Sequence, residues 1–321
     1  EDAIVTRQLR LNYSVEVRRV KLSLTVTDKA GRPVMEVSRD DFQVLEDGVE
    51  QQILDFDVET RPLRIALVVD TSGSMRERLP QVQLAASSFL DVLGPEDRAL
   101  VIDFDDQVML LQPHTDSREN LRDALMSTFA RGGTAMYDAV HATLRRLADQ
   151  RERKAIVLLS DGGDTASVMD RDKAVEAART SDVLIYTIGV GGGTDRGVLK
   201  TLSEETGGRA YFVDKAEELG AVYRRVAEEL RRQHIVTYSS SNPEYDGKWR
   251  KIQVRHEGPG DLRIRTRKGY YAMRRVTSPL DVPVIPPAPE ASTSGEGAEA
   301  APAAGSPTAP PPSAPDSQPG E

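Results

Sequence analysis

The chain has 321 residues, a formal net charge of −9 and a pI near 5.2, with 39% hydrophobic residues, 5% aromatic residues and no cysteine. That length admits two or three domains, and the acidic balance speaks against nucleic acid or anionic lipid as the main partner, because phosphate-rich surfaces are met by basic patches. The lack of cysteine excludes a disulfide framework and thiolate metal sites, and no apolar run approaches the roughly 18 residues of a membrane span.

The numbering opens on Glu1 rather than Met. This fits a mature chain whose signal peptide has been removed, hence a secreted, periplasmic or cell-surface protein, with a cytoplasmic one left open. Residues 13–58 read as β structure: SVEVRRVKLSLTVTD, a turn at Ala30-Gly31-Arg32-Pro33, then DFQVLEDGVEQQILDFDV with Asp47-Gly48 as a hairpin signal. Residues 62–232 then alternate strand and helix. RIALVVD (64–70) is a continuous apolar run ending in an acid. Residues 79–93 place Leu79, Val82, Leu84, Ala85, Phe89, Leu90 and Leu93 at helical spacing, with Pro80 in the first turn. DRALVIDF (97–104) is a strand, and Asp105-Asp106 turns the chain into an antiparallel QVMLLQ. Helices follow over 118–128, capped by Ser117, and about 135–149. KAIVLLSD (154–161) is another buried strand ending in Ser-Asp. A helix over 170–181, the strand VLIYTIGV, a helix near 195–206, the strand RAYFV and a helix over 215–232 complete the series. Such alternation predicts a doubly wound, mostly parallel six-stranded sheet with helices on both faces.

Residues 234–272 return to β structure with HIVTYSSS, KWRKIQVRH and DLRIRTRKGYY. Each flank is short for an independent domain. Together they supply about seven short strands, the usual content of an immunoglobulin-like sandwich. The expected organisation is therefore one discontinuous β domain, 13–58 plus 234–274, holding an α/β domain, 62–232, between its halves. In DLRIRTRKGYY the arginines at 263, 265 and 267 alternate with apolar or small residues, as on a half-buried strand with a solvated basic face. From Pro279 to Glu321 the chain is mostly Pro, Ala, Ser, Gly and Glu, with no Lys, Arg or aromatic residue. That composition cannot bury enough apolar surface to offset ordering and predicts a disordered tail.

One stretch asks for more than a turn. LVVDTSGSM (67–75) ends a buried strand in Asp70, Thr71, Ser72, Gly73 and Ser74. Alone, Asp and Ser before a helix read as caps. In an open doubly wound sheet, however, ligands bind beyond the carboxyl ends of the strands where the strand order reverses. With the order 3-2-1-4-5-6, the strands ending in Asp70 and Asp161 are neighbours there. Two carboxylates aimed at one crevice repel unless something positive sits between them. Ser72, Ser74 and Thr134, the last from the Gly-rich ARGGTAMYDA, add hydroxyls on the same rim. A set of hard oxygens without His or Cys suits Mg²⁺, Mn²⁺ or Ca²⁺ rather than Zn²⁺ or Cu²⁺.

DTSGS, GGT and SDGGD, in this order on this α/β pattern, resemble the metal-ion-dependent adhesion site of a von Willebrand factor type A (VWA) domain. The resemblance implies that Asp70, Ser72 and Ser74 form the D-x-S-x-S motif, with Thr134 and Asp161 as the matching threonine and aspartate. It also implies a divalent cation, most simply Mg²⁺, whose remaining position is filled by an Asp or Glu carboxylate of a protein partner. DDFQVLEDGVEQQI and LRIRTRKGYYA resemble a group of bacterial proteins built around such a domain.

Other signals are read as structural. Asp164 is a turn residue, and Asp138, in the first turn of its helix, suits the helix dipole. GVGGGTDRG (189–197) fails G-x-G-x-x-G at Thr194 and sits late in the domain, so it is a strand-to-helix loop. His114, His141, His234 and His256 are scattered and belong to packing or surface. A Mg²⁺-dependent hydrolase or phosphotransferase is the rival class, because a strand-end Asp also serves as nucleophile. Against it, the position two residues after Asp70 is Ser72 rather than a second acid, and neither a G-x-S-x-G elbow nor a P-loop is present. An intracellular assembly subunit working beside an ATPase is the third class.

Overall fold

The computed structural model describes residues 19–150 and 152–273. Positions 13–18 and 274 of the expected β segments, and the stretch 279–321, lie outside the described residues. In chain order the strands and helices are β1 (Arg19–Thr27), β2 (Phe42–Glu46), β3 (Val49–Val58), β4 (Leu63–Asp70), α1 (Leu79–Leu90), β5 (Arg98–Phe104), β6 (Val108–Thr115), α2 (Arg118–Met126) and α3 (Met136–Leu147). They continue with β7 (Arg153–Ser160), α4 (Arg171–Thr180), β8 (Leu184–Val190), α5 (Arg196–Thr206), β9 (Ala210–Val213), α6 (Leu219–Arg231), β10 (His234–Ser239), β11 (Trp249–His256), β12 (Arg263–Arg265) and β13 (Gly269–Tyr271).

Six strands form a mixed sheet in the order β6-β5-β4-β7-β8-β9, with only β6 antiparallel to its neighbour. The apolar runs of β4, β7 and β8 are buried along their whole length because both faces are covered. β4 shows the division. Ile65, Leu67 and Val69 pack with residues of α1, α2 and α6, while Ala66 and Val68 pack with residues of α3 and α5. Each fully buried aliphatic side chain stabilises by about 1.5–3 kcal/mol. The local signals agree with the packing. Pro80 lies in the first turn of α1, Asp195 caps α5 by accepting from Val198 N, and Gly207 ends α5 at φ +86°.

The remaining strands make a second, antiparallel sheet in the order β12-β1-β10-β3-β2-β11-β13. Its strands come from both ends of the described chain: β10 pairs with β1 and β3, and β11 pairs with β2. Asp47 and Gly48 carry φ of +50° and +83°, as a two-residue hairpin between β2 and β3 requires. The hydrogen bonding joins all seven strands in one sheet and does not show the immunoglobulin-like sandwich that strand count suggested. The two outermost strands, β12 and β13, are consecutive in the chain, and the Lys268 carbonyl between them accepts from Ile252 N at 2.8 Å. The sheet thus turns back on itself around a single core that includes Leu22, Leu24, Val44, Val236, Tyr238 and Ile252. Strand alternation predicts which residues face inward but not which strands pair, so it could not separate a curled sheet from two stacked ones.

DLRIRTRKGYY, expected as one strand, breaks at residues 266–268. There Lys268 N donates to the Glu205 carbonyl at the end of α5, and the Gly207 Cα approaches the Thr266 backbone so closely that a Cβ would collide. The expected solvated basic face is also only partly so. Arg263 is exposed, but Arg265 pairs with the buried Glu229 of α6 and donates to the Gly208 carbonyl at 2.9 Å. Arg267 donates to the Lys21 carbonyl and stacks over Tyr270. Among the described residues no helix is long and apolar enough to cross a membrane.

Candidate metal centre

The strand register brings the acids together. β4 is hydrogen-bonded to β7 in parallel with Val69 opposite Leu159, so the next residues out, Asp70 and Ser160, lie side by side at the carboxyl edge. Ser160 Oγ donates to Asp70 Oδ2 at 2.6 Å, and Ser72 N donates to Asp70 Oδ1 at 2.9 Å. Asp70 is fully buried. Burial pushes its carboxyl above the usual range, the hydrogen bonds from Ser160 and Ser72 oppose this, and the charge of Asp161 adds to the rise.

From Asp70 the chain enters a short 3₁₀ turn, Gly73–Glu77. This turn aims both serine hydroxyls the same way. Ser72 Oγ and Ser74 Oγ are 3.0 Å apart, and Ser74 Oγ donates to Asp161 Oδ1 at 2.7 Å. The other oxygen of Asp161 accepts from Arg78 Nη1 at 2.9 Å. Asp70, Ser72, Ser74 and Asp161 are therefore linked side chain to side chain or through the Ser72 amide. Thr134 is brought in through the backbone of its loop: Arg131 N donates to the Thr71 carbonyl and Gly73 N to the Gly132 carbonyl, at 2.8 and 3.0 Å. The glycines allow this approach. Gly132 takes φ +62°, and a Cβ there would strike the Asp106 carboxylate, which accepts from Gly133 N.

The loop after Asp161 is fastened to the same region. Thr165 Oγ1 accepts from Thr134 N at 2.9 Å, and the Thr134 carbonyl accepts from Thr165 N and Ala166 N. Asp164 accepts from Tyr137 N and from Ser167, and Asp138 accepts from Val168 N and Met169 N. Both acids tie the loop to α3, a structural part. None of the four histidines lies among these contacts; His234 packs on Phe56 and His256 on Phe42.

Sequence reasoning missed two members of the cluster. Ser160 had a readable signal, since a parallel neighbour of a strand-end acid faces it. Arg78 had none, because its partner lies 83 residues away.

The model of the von Willebrand factor type A domain matches residues 65–225, half of the chain. The chain belongs to the von Willebrand factor type A domain family. Inter-alpha-trypsin inhibitor heavy chain H4 of Sus scrofa is 28% identical over 199 residues, which is 56% of this chain and 22% of that protein. The UPF0353 protein of Mycolicibacterium gilvum is 28% identical over 200 residues, 52% of this chain and 60% of that one. The chain thus spans only part of the length of these relatives. Among solved structures, a von Willebrand factor type A protein from Catenulispora acidiphila superposes with a TM-score of 0.51 at 13% identity, covering 78% of this chain and 73% of that one. This last likeness concerns the fold.

Among the described residues, no three His, Asp or Glu side chains gather closely enough to hold a metal by themselves. The rim instead offers two carboxylates and the hydroxyls of Ser72 and Ser74, with the Thr134 loop held against them through its backbone. Asp70 has only neutral donors around it, so a buried negative charge there is left without a cationic partner. Hard oxygens and one uncompensated acid fit a hard divalent cation.

Proposed function

We propose that the VWA domain binds a divalent cation, Mg²⁺ before Mn²⁺ or Ca²⁺, through Asp70, Ser72, Ser74, Thr134 and Asp161, and that the cation recruits an Asp or Glu side chain of a protein partner. The observation that carries this reading is the placement of Asp70 and Asp161 at adjacent strand ends with serine hydroxyls between them. Two buried acids largely offset a divalent charge, and hydroxyls set geometry without adding charge. Mg²⁺ keeps exchangeable waters, one of which a partner's carboxylate replaces. The domain is read as a binding module rather than an enzyme. Asp70 faces Ser72 where a phosphotransferase would want a second acid, and proton-transfer groups such as His or Lys are not among the partners of either acid. The strands that flank the VWA domain are read as one discontinuous β domain, 13–58 plus 234–274.

Titration calorimetry with Mg²⁺, Mn²⁺ and Ca²⁺ tests the proposal. Uptake of one ion per chain is expected, together with a rise in stability of about 2.7 kcal/mol at a hundred times the dissociation constant. The same uptake should disappear in Asp161→Ala. No uptake of any of the three ions would overturn the reading.

A further inference from the structure

Asp70 and Asp161 look equivalent in the sequence, yet their surroundings differ in one respect. Among the described residues Asp70 accepts from neutral groups, the hydroxyl of Ser160 and the amide of Ser72. Asp161 has one oxygen on Ser74 Oγ and the other on the guanidinium of Arg78, at 2.7 and 2.9 Å. Building on the functional reading above, we infer that Arg78 is a positioning residue that restrains Asp161 and leaves the centre short of negative charge, so that a bound cation draws in an outside carboxylate.

The charge count gives the reason. Two acids and one guanidinium sum to a single negative charge. A divalent cation then leaves one net positive charge on a rim whose acids are buried, where Coulomb attraction for an anion is stronger than in bulk water. Without Arg78 the same centre would be neutral. It would hold its metal more tightly and attract a carboxylate less. Arg78 thus exchanges metal affinity for ligand affinity.

The arginine is built into place rather than draped over the surface. Its backbone is fixed at the entry to α1, with its N–H on the Met75 carbonyl at 2.8 Å and its carbonyl accepting from Val82 N at 3.0 Å. Its guanidinium lies against Gly191, where φ is +81° and a Cβ would stand 3.0 Å from Nη2 and 3.3 Å from Cζ. A larger residue at 191 would push the guanidinium away, so the glycine-rich loop rejected as a nucleotide site has a use here. The Arg78 side chain is 39% exposed while that of Asp161 is 3% exposed. Arg78 also lines an open hollow of about 620 Å³ with Glu77, Gln81, Lys215 and Glu217. A carboxylate arriving from solvent therefore meets the arginine, which is reachable, and not the aspartate, which is not. A planar fork suits this double contact better than a lysine ammonium does.

The test compares wild type with Arg78→Met, which removes the charge, and Arg78→Lys, which keeps it. Calorimetry reads Mn²⁺ affinity, and water-proton relaxation of the Mn²⁺-loaded protein, titrated with acetate as the carboxylate probe, reads ligand recruitment. Arg78→Met is expected to bind Mn²⁺ roughly tenfold more tightly and to need roughly tenfold more acetate, with Arg78→Lys between it and wild type. The metal-free Arg78→Met protein should also melt at a lower temperature, because Asp161 loses its partner. Equal Mn²⁺ and acetate affinities in all three proteins would overturn the inference and leave the functional reading standing. No Mn²⁺ uptake by wild type or either variant would overturn both. If Arg78→Met does not fold, a shift in the same direction for Arg78→Lys decides the matter.

Discussion

Two regions of the molecule bury a carboxylate, and they treat it differently. In the seam between the two sheets, Glu229 of α6 is 1% exposed and is met by Tyr211 Oη at 2.9 Å, Arg209 Nη1 at 3.4 Å and the guanidinium of Arg265. On the rim, Asp70 is equally buried and is met by neutral donors, with a second acid, Asp161, across the crevice. Neutral donors are not enough to mark a site. Glu46, also buried, accepts from the hydroxyls of Tyr238, Tyr270 and Ser240. What sets the rim apart is the second carboxylate. Glu229 and Glu46 are finished by their own chain, whereas on the rim Arg78 pairs with Asp161 alone and Asp70 keeps neutral donors beside a second acid.

The comparison breaks most visibly at the seam. Removing one partner of a buried ion pair leaves the other uncompensated, so Glu229→Ala is expected to cost about 3–5 kcal/mol. Urea unfolding measures this. A loss below about 1 kcal/mol would show that the guanidinium of Arg265 is satisfied by solvent and that the seam resembles a surface pair. On the rim the sign reverses. Asp70→Asn removes the buried charge and its repulsion with Asp161, so the metal-free protein should gain about 1 kcal/mol while its cation uptake is lost. A variant that both destabilises the metal-free protein and still binds Mg²⁺ would erase the distinction between the two regions.

Much of the α/β fold was legible because its evidence is local. RIALVVD and KAIVLLSD are too apolar for a one-sided strand, and both end in acids, so a parallel sheet with a crevice at its carboxyl edge follows from composition and order. The GGT loop (132–134) was legible as part of the rim, since only glycines let it come so near Asp106 and Gly73. The curled sheet was not legible, because pairing β12 with β1 and β13 with β11 depends on where α5 ends. Arg265 was misread for the same reason: alternation placed it on an outer face, and α6 then covered that face with Glu229. Arg78 and Asp161 become partners only once β4 and β7 lie side by side.

The smallest expected effect sharpens the seam from its other end. His234 opens β10 directly after α6 and is 1% exposed. Burial holds its pKa below the ordinary histidine value, against a weaker opposing effect from the Met35 carbonyl. The neutral ring is therefore preferred in the folded state, and the unfolded chain binds more protons once the pH drops below about 6.5. The contribution of His234 to stability is complete above that pH and is lost as the pH falls toward the folded value. Its slope cannot exceed about 1.4 kcal/mol per pH unit. His114 is shifted the same way, by burial first and then by the charge of Arg64, while the raised carboxyls of Asp70 and Asp103 act in the opposite sense. The measurement is accordingly a difference: urea unfolding of wild type and His234→Gln at pH 7.5 and 5.5, in which the shared groups cancel. Wild type should lose more stability than the variant over that interval. Equal losses would mean that the ring takes up its proton within the fold, and that the start of β10 is open to water where Glu229, a few residues earlier, is not.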